Sequence, residues 1–214
     1  MPEIIETIIY QFHELSEPAK ERARSWCRET APDPDWYEVV YADFAAVCEI
    51  LGLALKTSTV RLGGGGTRQK PCLYFQGFGS QGDGACFQGV YTHARQAPAK
   101  IRRHAPQDAW LHRIVDTLQA VQRRNFYRLR AEIRHRGRYY HEQSMVISVE
   151  RDSPTGQAMT ADAEDIVTEA LRDLARWLYR QLEREYAFQT SDDAVDEAMT
   201  ANAYTFTEAG CRFG

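Results

Sequence analysis

Two short stretches decide the fold class: Arg128-Leu129-Arg130-Ala131-Glu132-Ile133-Arg134, and, beyond Gly137, Met145-Val146-Ile147-Ser148-Val149. In the first, Leu129, Ala131 and Ile133 alternate with charged residues; in the second, Met145, Ile147 and Val149 are the apolar partners. A period of two gives a strand one dry face and one wet face. Two such strands about a glycine turn predict a hairpin in an antiparallel sheet that is covered on one side only.

Outward from that hairpin the period changes to helical. Upstream, Trp110, Leu111, Ile114, Leu118 and Val121 share one helix face, with Gln107 or Asp108 as the cap, and a shorter helix is predicted near 97–104. Downstream, Ile166, Ala170, Leu171, Leu174, Trp177, Leu178 and Leu182 define a long amphipathic helix. Ser191-Asp192-Asp193 opens a further short helix, and the tail around Tyr204–Phe206 is expected to add an edge strand. Near the N-terminus, residues 3–12 read as a strand rich in Ile, Tyr and Phe. Ser16, with Pro18 behind it, then caps a helix carrying Ala19, Ala23, Trp26 and Cys27. Asp33-Pro34-Asp35 breaks the chain before a second helix, which buries Val40, Phe44, Val47 and Leu51 and stops at Gly52. Residues 53–92 read as strands joined by Gly63-Gly64-Gly65-Gly66 and by a glycine-rich loop at 79–84. Phe-Gln-Gly, at 75–77 and again at 87–89, reads as two facing strands of one hairpin. Two helices in succession after one strand exclude a simple alternating βαβ fold. The expected class is α+β: an antiparallel sheet built from hairpins, with amphipathic helices packed on one face, in a single domain over 1–214.

No apolar stretch approaches the roughly 18 to 20 residues that cross a bilayer. Met1-Pro2-Glu3-Ile4-Ile5-Glu6 lacks the basic and apolar regions of a secretory signal. Cys27, Cys48, Cys72, Cys86 and Cys211 are odd in number and show no CxxC spacing, so reduced thiols in a cytoplasm are expected. The net charge of −4 hides segregation. Residues 1–50 hold 11 acids against 4 Lys/Arg, residues 150–200 hold 13 against 5, and residues 100–149 reverse the balance with 11 Lys/Arg against 4 acids.

Three groups of residues are candidates for function. The loop Ser80-Gln81-Gly82-Asp83-Gly84 combines glycine freedom with an acid, which suits close approach of a ligand or partner; equally, Asp83 and Gly84 can form the turn while Ser80 and Gln81 bond within the loop. No GK[ST] follows, so it is not a phosphate-cradling loop. Arg123, Arg124, Arg128, Arg130, Arg134, Arg136 and Arg138 interleave with Phe126, Tyr127, Tyr139 and Tyr140, a pattern that suits phosphate contact with base stacking. Against nucleic acid stands the acidic pI near 5.9, and pairing with the acidic helices is the plainer account. Asp162, Glu164, Asp165, Glu169 and Asp173 form an acidic face that can fill a basic groove or simply be solvated. His104 with His112 and His135 with His141 lack metal-ligand spacing, so no metal and no cofactor are expected. Cys86 reads as a buried hydrophobe, with a nucleophile as the alternative.

Several segments carry a resemblance: Tyr-Gln-Phe (10–12), Leu-Ser-Glu-Pro-Ala-Lys (15–20), Phe-Gln-Gly-Phe-Gly-Ser-Gln-Gly-Asp-Gly-Ala-Cys-Phe-Gln-Gly (75–89), Ala-Pro-Gln-Asp (105–108), Val-Gln-Arg-Arg (121–124), Trp-Leu-Tyr-Arg-Gln-Leu-Glu-Arg-Glu-Tyr (177–186) and Thr-Ser-Asp-Asp-Ala-Val (190–195). Through them the chain resembles a family of phage and prophage proteins, some of which are labelled antitoxins of toxin-antitoxin systems. The resemblance implies a mobile-element origin and expression inside a bacterial host cell. The expected function is a phage-encoded regulator or inhibitor that binds a host protein or nucleoprotein without catalysis, including interference with host defence of the anti-CRISPR kind. An antitoxin that neutralises a neighbouring toxin is the first alternative. A small enzyme using Asp83 as base or ligand, with His135 or His141, is the second.

Overall fold

A computed structural model describes residues 6–30 and 34–214. In chain order the described elements are β1 (Tyr10–Gln11), α1 (Glu17–Thr30), α2 (Glu38–Leu51), β2 (Leu53–Leu55), β3 (Thr57–Arg61), β4 (Thr67–Pro71), β5 (Leu73–Gln76), β6 (Gly84–Phe87) and β7 (Gly89–Thr92). They continue with α3 (Ala97–His104), α4 (Ala109–Arg124), β8 (Leu129–His135), β9 (Met145–Arg151), α5 (Ala163–Gln189), α6 (Asp192–Ala201), β10 (Thr205–Phe206) and β11 (Arg212–Phe213). All strand pairings are antiparallel, and the class is α+β. Where the sequence reads as one domain, the contacts group the chain into two compact units, one of residues 1–38 with 183–214 and one of residues 39–182.

In the second unit, the sheet has the order β2-β7-β8-β9. Its register places Leu53, Tyr91, Ala131 and Val149 in one row across all four strands. All four are buried, whereas the neighbouring row holds exposed Ala54 and Ser148. The period-two reading of 129–149 therefore describes the pleat. Helix α2 packs against the β5–β6 hairpin and α5: the Phe44 ring lies 5.5 Å from that of Phe87 in β6 and 6.3 Å from that of Trp177 in α5. Asp108 is the cap of α4. One carboxylate oxygen accepts from the Leu111 backbone N–H at 2.8 Å, and the other accepts from Trp177 Nε1 at 2.7 Å, so one side chain starts α4 and ties α5 to it.

The passage from α4 into β8 rests on two buried amides, Gln122 and Asn125, both without solvent exposure. β7 ends at Thr92, opposite Arg130, so Leu129 has no further strand partner on that side. The Gln122 amide stands in for it: Nε2 donates to Leu129 O at 2.8 Å and Oε1 accepts from Leu129 N at 3.1 Å. Asn125 Nδ2 donates to Val121 O at 2.9 Å and to Thr160 Oγ1 at 3.1 Å, while its Oδ1 accepts from Thr160 N at 2.9 Å. Around them α4 closes in a Schellman turn, with Tyr127 N bonded to Gln122 O and Phe126 N to Arg123 O. That turn wants glycine at position 126, where φ is +58°, and Tyr127 follows at +61°. Left-handed aromatic residues cost about 1 kcal/mol or more each, so the surrounding bonds must over-determine them.

In the first unit, Phe12, Leu15, Ala19, Ala23, Cys27, Val195, Met199 and Phe206 form one core. Arg24 clamps Asp196 with two bonds, at 2.8 and 2.7 Å, joining α1 to α6. Ser191 caps α6 as expected, its hydroxyl accepting from Ala194 N at 3.4 Å. Gly210 passes so near Ala19 that any β-carbon there would lie 2.1 Å from a carbonyl oxygen.

Two expectations need correction. The strand expected over 3–12 is only Tyr10–Gln11; residues 3–5 lie outside the described residues, Ile8 and Ile9 are exposed, and Phe12–Glu14 is a single 3-10 turn. β10 is not an edge but the middle strand of β1-β10-β11, because Thr205 and Phe206 pair on one side with Gln11 and Tyr10 and on the other with Phe213 and Arg212. Asp33 of the predicted break also lies outside the described residues.

Replacing Gln122 by alanine strips both backbone groups of Leu129 of their partner. We expect Gln122→Ala to lower the unfolding free energy by about 2 to 4 kcal/mol, read as a lower denaturant midpoint at an unchanged slope. The exposed change Gln143→Ala should stay within about 0.5 kcal/mol.

Candidate binding loop and charged surfaces

The loop at 77–83 joins β5 to β6, whose register sets Leu73 opposite Phe87 and Gln76 opposite Gly84. The two Phe-Gln-Gly copies thus begin on facing strands, though Gly89 already belongs to β7. Within the loop the Asp83 carboxylate turns inward. Its Oδ2 accepts from Ser80 N at 2.6 Å, and Asp83 N donates to Ser80 O at 3.1 Å. Gly77, at φ +50°, lies so close that a β-carbon would meet Asp83 Oδ1 at 2.7 Å. Gly77 O also accepts from the Tyr179 hydroxyl at 3.2 Å, and Phe78 stacks on the Tyr179 ring at 5.5 Å. The loop is held at both ends, and Ser80 and Gln81 are left exposed between them.

The segment 136–144, linking β8 to β9, packs against this loop. The Tyr139 ring lies 3.7 Å from the position a Gly82 β-carbon would take, and Gly84 leaves no room for one, since His141 Cδ2 would be 2.9 Å away. Tyr140 stacks on Tyr74 at 4.9 Å, and His135 lies 5.2 Å from Tyr140, ring to ring. Of the two histidines of the enzyme alternative, His141 packs at the loop's end against Gly84, and His135 lies against Tyr74 and Tyr140. Their ring nitrogens are engaged locally: His135 Nε2 is 3.0 Å from Tyr139 O, and His141 Nδ1 accepts from Gln143 N at 3.1 Å. That same Nδ1 is 3.0 Å from Glu142 Oε2.

Glu142 is 12% exposed and is matched by Arg176, whose Nε lies 3.0 Å from Oε1. Arg176 also holds Glu169 at 2.7 Å and Asp173 at 2.6 Å. Burial works against its charge, but bonds to Glu169, Asp173 and Glu142 outweigh it and hold the guanidinium above its ordinary pKa. Two of the five acidic candidates are thus drawn into one arginine. Asp162 pairs with Arg124 at 2.9 Å, and hydrogen bonds from Arg124 and Thr160 lower its carboxyl pKa. Glu164 and Asp165 remain exposed in the first turn of α5, where the helix dipole favours acids.

The seven arginines do not form one surface. Arg130 and Arg134 stand on the wet face of β8, paired with Glu150 at 2.8 Å and with Glu132 at 2.7 Å. Arg136 and Arg138 lie at one end of that strand, beside the loop, with Arg138 over the Tyr139 ring at 5.3 Å. Arg123, Arg124 and Arg128 lie at the other end, and Arg128 reaches Asp152 only at 3.9 Å. The acids that meet them come mostly from the same hairpin and its continuation, not from the terminal helices. What sequence reasoning missed is the Arg176–Glu142–Glu169–Asp173 cluster. Its only sequence trace is the helical spacing of 169, 173 and 176; Glu142 comes from a distant loop.

Among the described residues, no group of three or more His, Cys, Asp or Glu could hold a metal ion, and no helix is long and apolar enough to cross a membrane. Cys86 is fully buried, and burial pushes its thiol up to about 12, with a Ser144 hydrogen bond only partly opposing. Burial likewise holds Cys48 well above its ordinary range. A protonated, enclosed thiol is a poor nucleophile. Of the five cysteines, Cys211 alone is exposed. A thiol reagent at pH 8 should therefore modify Cys211 quickly and the other four only after denaturant is added; fast modification of Cys86 would contradict this account.

Residues 36–192 match a family model described as Domain of unknown function (DUF8835). The match contains the whole 39–182 unit and with it the loop, Arg176 and the buried amides. No curated protein and no solved structure matches the chain. The matched span is most of the sequence, and the chain belongs to the DUF8835 family.

Proposed function

We propose that the protein acts by docking, as a phage- or prophage-type regulator or inhibitor inside a bacterial host cell, occupying the surface of a host protein or nucleoprotein without making or breaking bonds. The observation that carries this reading is the inward use of Asp83. A catalytic base or ligand needs a carboxylate aimed at a substrate; this one is consumed in holding Ser80. What the loop presents outward is Ser80 and Gln81, beside a Tyr139 ring that is 49% exposed and carries Arg138 over its face. Tyr and Arg on a pre-ordered support are the residue types that dominate binding energy at protein interfaces, because little entropy is lost when they engage. Clamping by Tyr179, Phe78 and Asp83 supplies that order.

Asp83→Asn separates docking from catalysis, since an amide oxygen still accepts from Ser80 N but cannot serve as a base. Affinity capture from bacterial lysate, followed by calorimetry with the purified partner, should give equal binding for the wild type and Asp83→Asn, and about tenfold weaker binding for Gln81→Arg. Two results would defeat the proposal: no stoichiometric partner for the wild type, or an Asp83→Asn protein that keeps its thermal midpoint but loses its biological effect.

A further inference from the structure

The corner between α4 and β8 carries a second surface, independent of the loop at 77–83. Phe126 is 70% exposed and Tyr127 43%, and both hold left-handed backbone that glycine or asparagine would accept more readily. The turn spends strain on two aromatic rings that it then leaves in water. Burial is not what Phe126 gains.

Their surroundings are cationic. The Arg151 guanidinium lies over Phe126 at 5.2 Å, and the His93 ring lies against Tyr127 at 4.5 Å, tilted by 35°. Burial, and after it the nearby Arg95 charge, lower the pKa of that imidazole. Arg123, one turn back along α4, and Arg95 have no acid within ion-pair distance among the described residues. Arg128, next to Tyr127, has only the 3.9 Å approach of Asp152. Elsewhere on the hairpin, Arg130 and Arg134 are closely paired. Arg95, Arg123 and Arg128 therefore stand without a close acid at the end of β8 where Phe126 and Tyr127 are exposed, as Arg136 and Arg138 stand at the other end beside Tyr139.

We infer that the Phe126–Tyr127 corner is a binding surface for single-stranded nucleic acid, with bases stacking on the two rings and Arg95, Arg123 and Arg128 meeting phosphates. Aromatic faces accept any base, and arginine supplies the sequence-independent attraction to the backbone. A duplex keeps its bases stacked internally and cannot use the rings. An acidic protein segment would use the arginines and gain nothing from Phe126. The acidic total of the chain does not oppose this, because charges beyond about a Debye length of 10 Å are screened.

The test uses fluorescence anisotropy with labelled oligo-dT and oligo-U of about 12 nucleotides, the matching duplexes, and a poly-glutamate peptide. Full-length wild type should bind either single strand, more weakly as salt rises from about 50 to 200 mM. Phe126→Gly relieves the left-handed strain, so it should keep or raise the thermal midpoint while weakening single-strand binding about tenfold. Arg123→Gln should reduce the salt dependence. The inference is overturned if neither single strand binds at low salt, if Phe126→Gly binds as tightly as wild type, or if duplex or poly-glutamate binds equally well. Failure here leaves the loop reading intact, since Gln81→Arg and Asp83→Asn lie on the other surface.

Discussion

Backbone groups buried away from water must find partners, and in this protein the hardest case falls where α4 gives way to β8. A helix end leaves carbonyls open and a strand beyond its neighbour's end leaves both backbone groups open. Gln122 and Asn125 answer both needs from within the core. Once Gln122 has clasped Leu129, the first residue of β8 is placed, and with it the register that sets Leu129 opposite Arg151 and His135 opposite Met145. Asn125 extends the same control to Thr160, just before α5 begins. The same closure holds Phe126 and Tyr127 in left-handed backbone.

Electrostatics in the 39–182 unit is organised by proximity rather than by sequence blocks. Arg124, Arg130 and Arg134 meet acids at the adjoining loop, one strand away or on the same strand, and Arg176 gathers three carboxylates, of which Glu142 is set apart from the other two by a strand and a loop. Exposed pairs of this kind contribute roughly 0 to 1 kcal/mol each, so their main effect is to cancel charge. What they leave uncancelled is correspondingly informative. The glycine-rich loop follows the same logic: its one acid is used internally, and its exposed part is made of neutral side chains.

Element types were legible from periodicity almost throughout. The helices over 17–30, 38–51, 97–104, 109–124, 163–189 and 192–201, and the hairpins at 73–87 and 129–151, follow from apolar spacing and from caps at Asp108 and Ser191. The reading failed at the N-terminal strand, where Ile8 and Ile9 look like strand core but face solvent, and at β10, whose two neighbours come from opposite ends of the chain. Local composition cannot report a partner that far away.

By itself, then, the sequence determined the period of each segment and therefore which side chains face inward, because one side-chain alternation fits one backbone geometry. Tertiary structure alone decided which charges are spent and which remain. It turned Asp83 inward, split seven arginines among three places, and drew Glu142 to Arg176. The physical reason is distance: ion pairs and hydrogen bonds act over a few ångströms, and which groups come that close is settled by strand register and helix packing, not by adjacency along the chain.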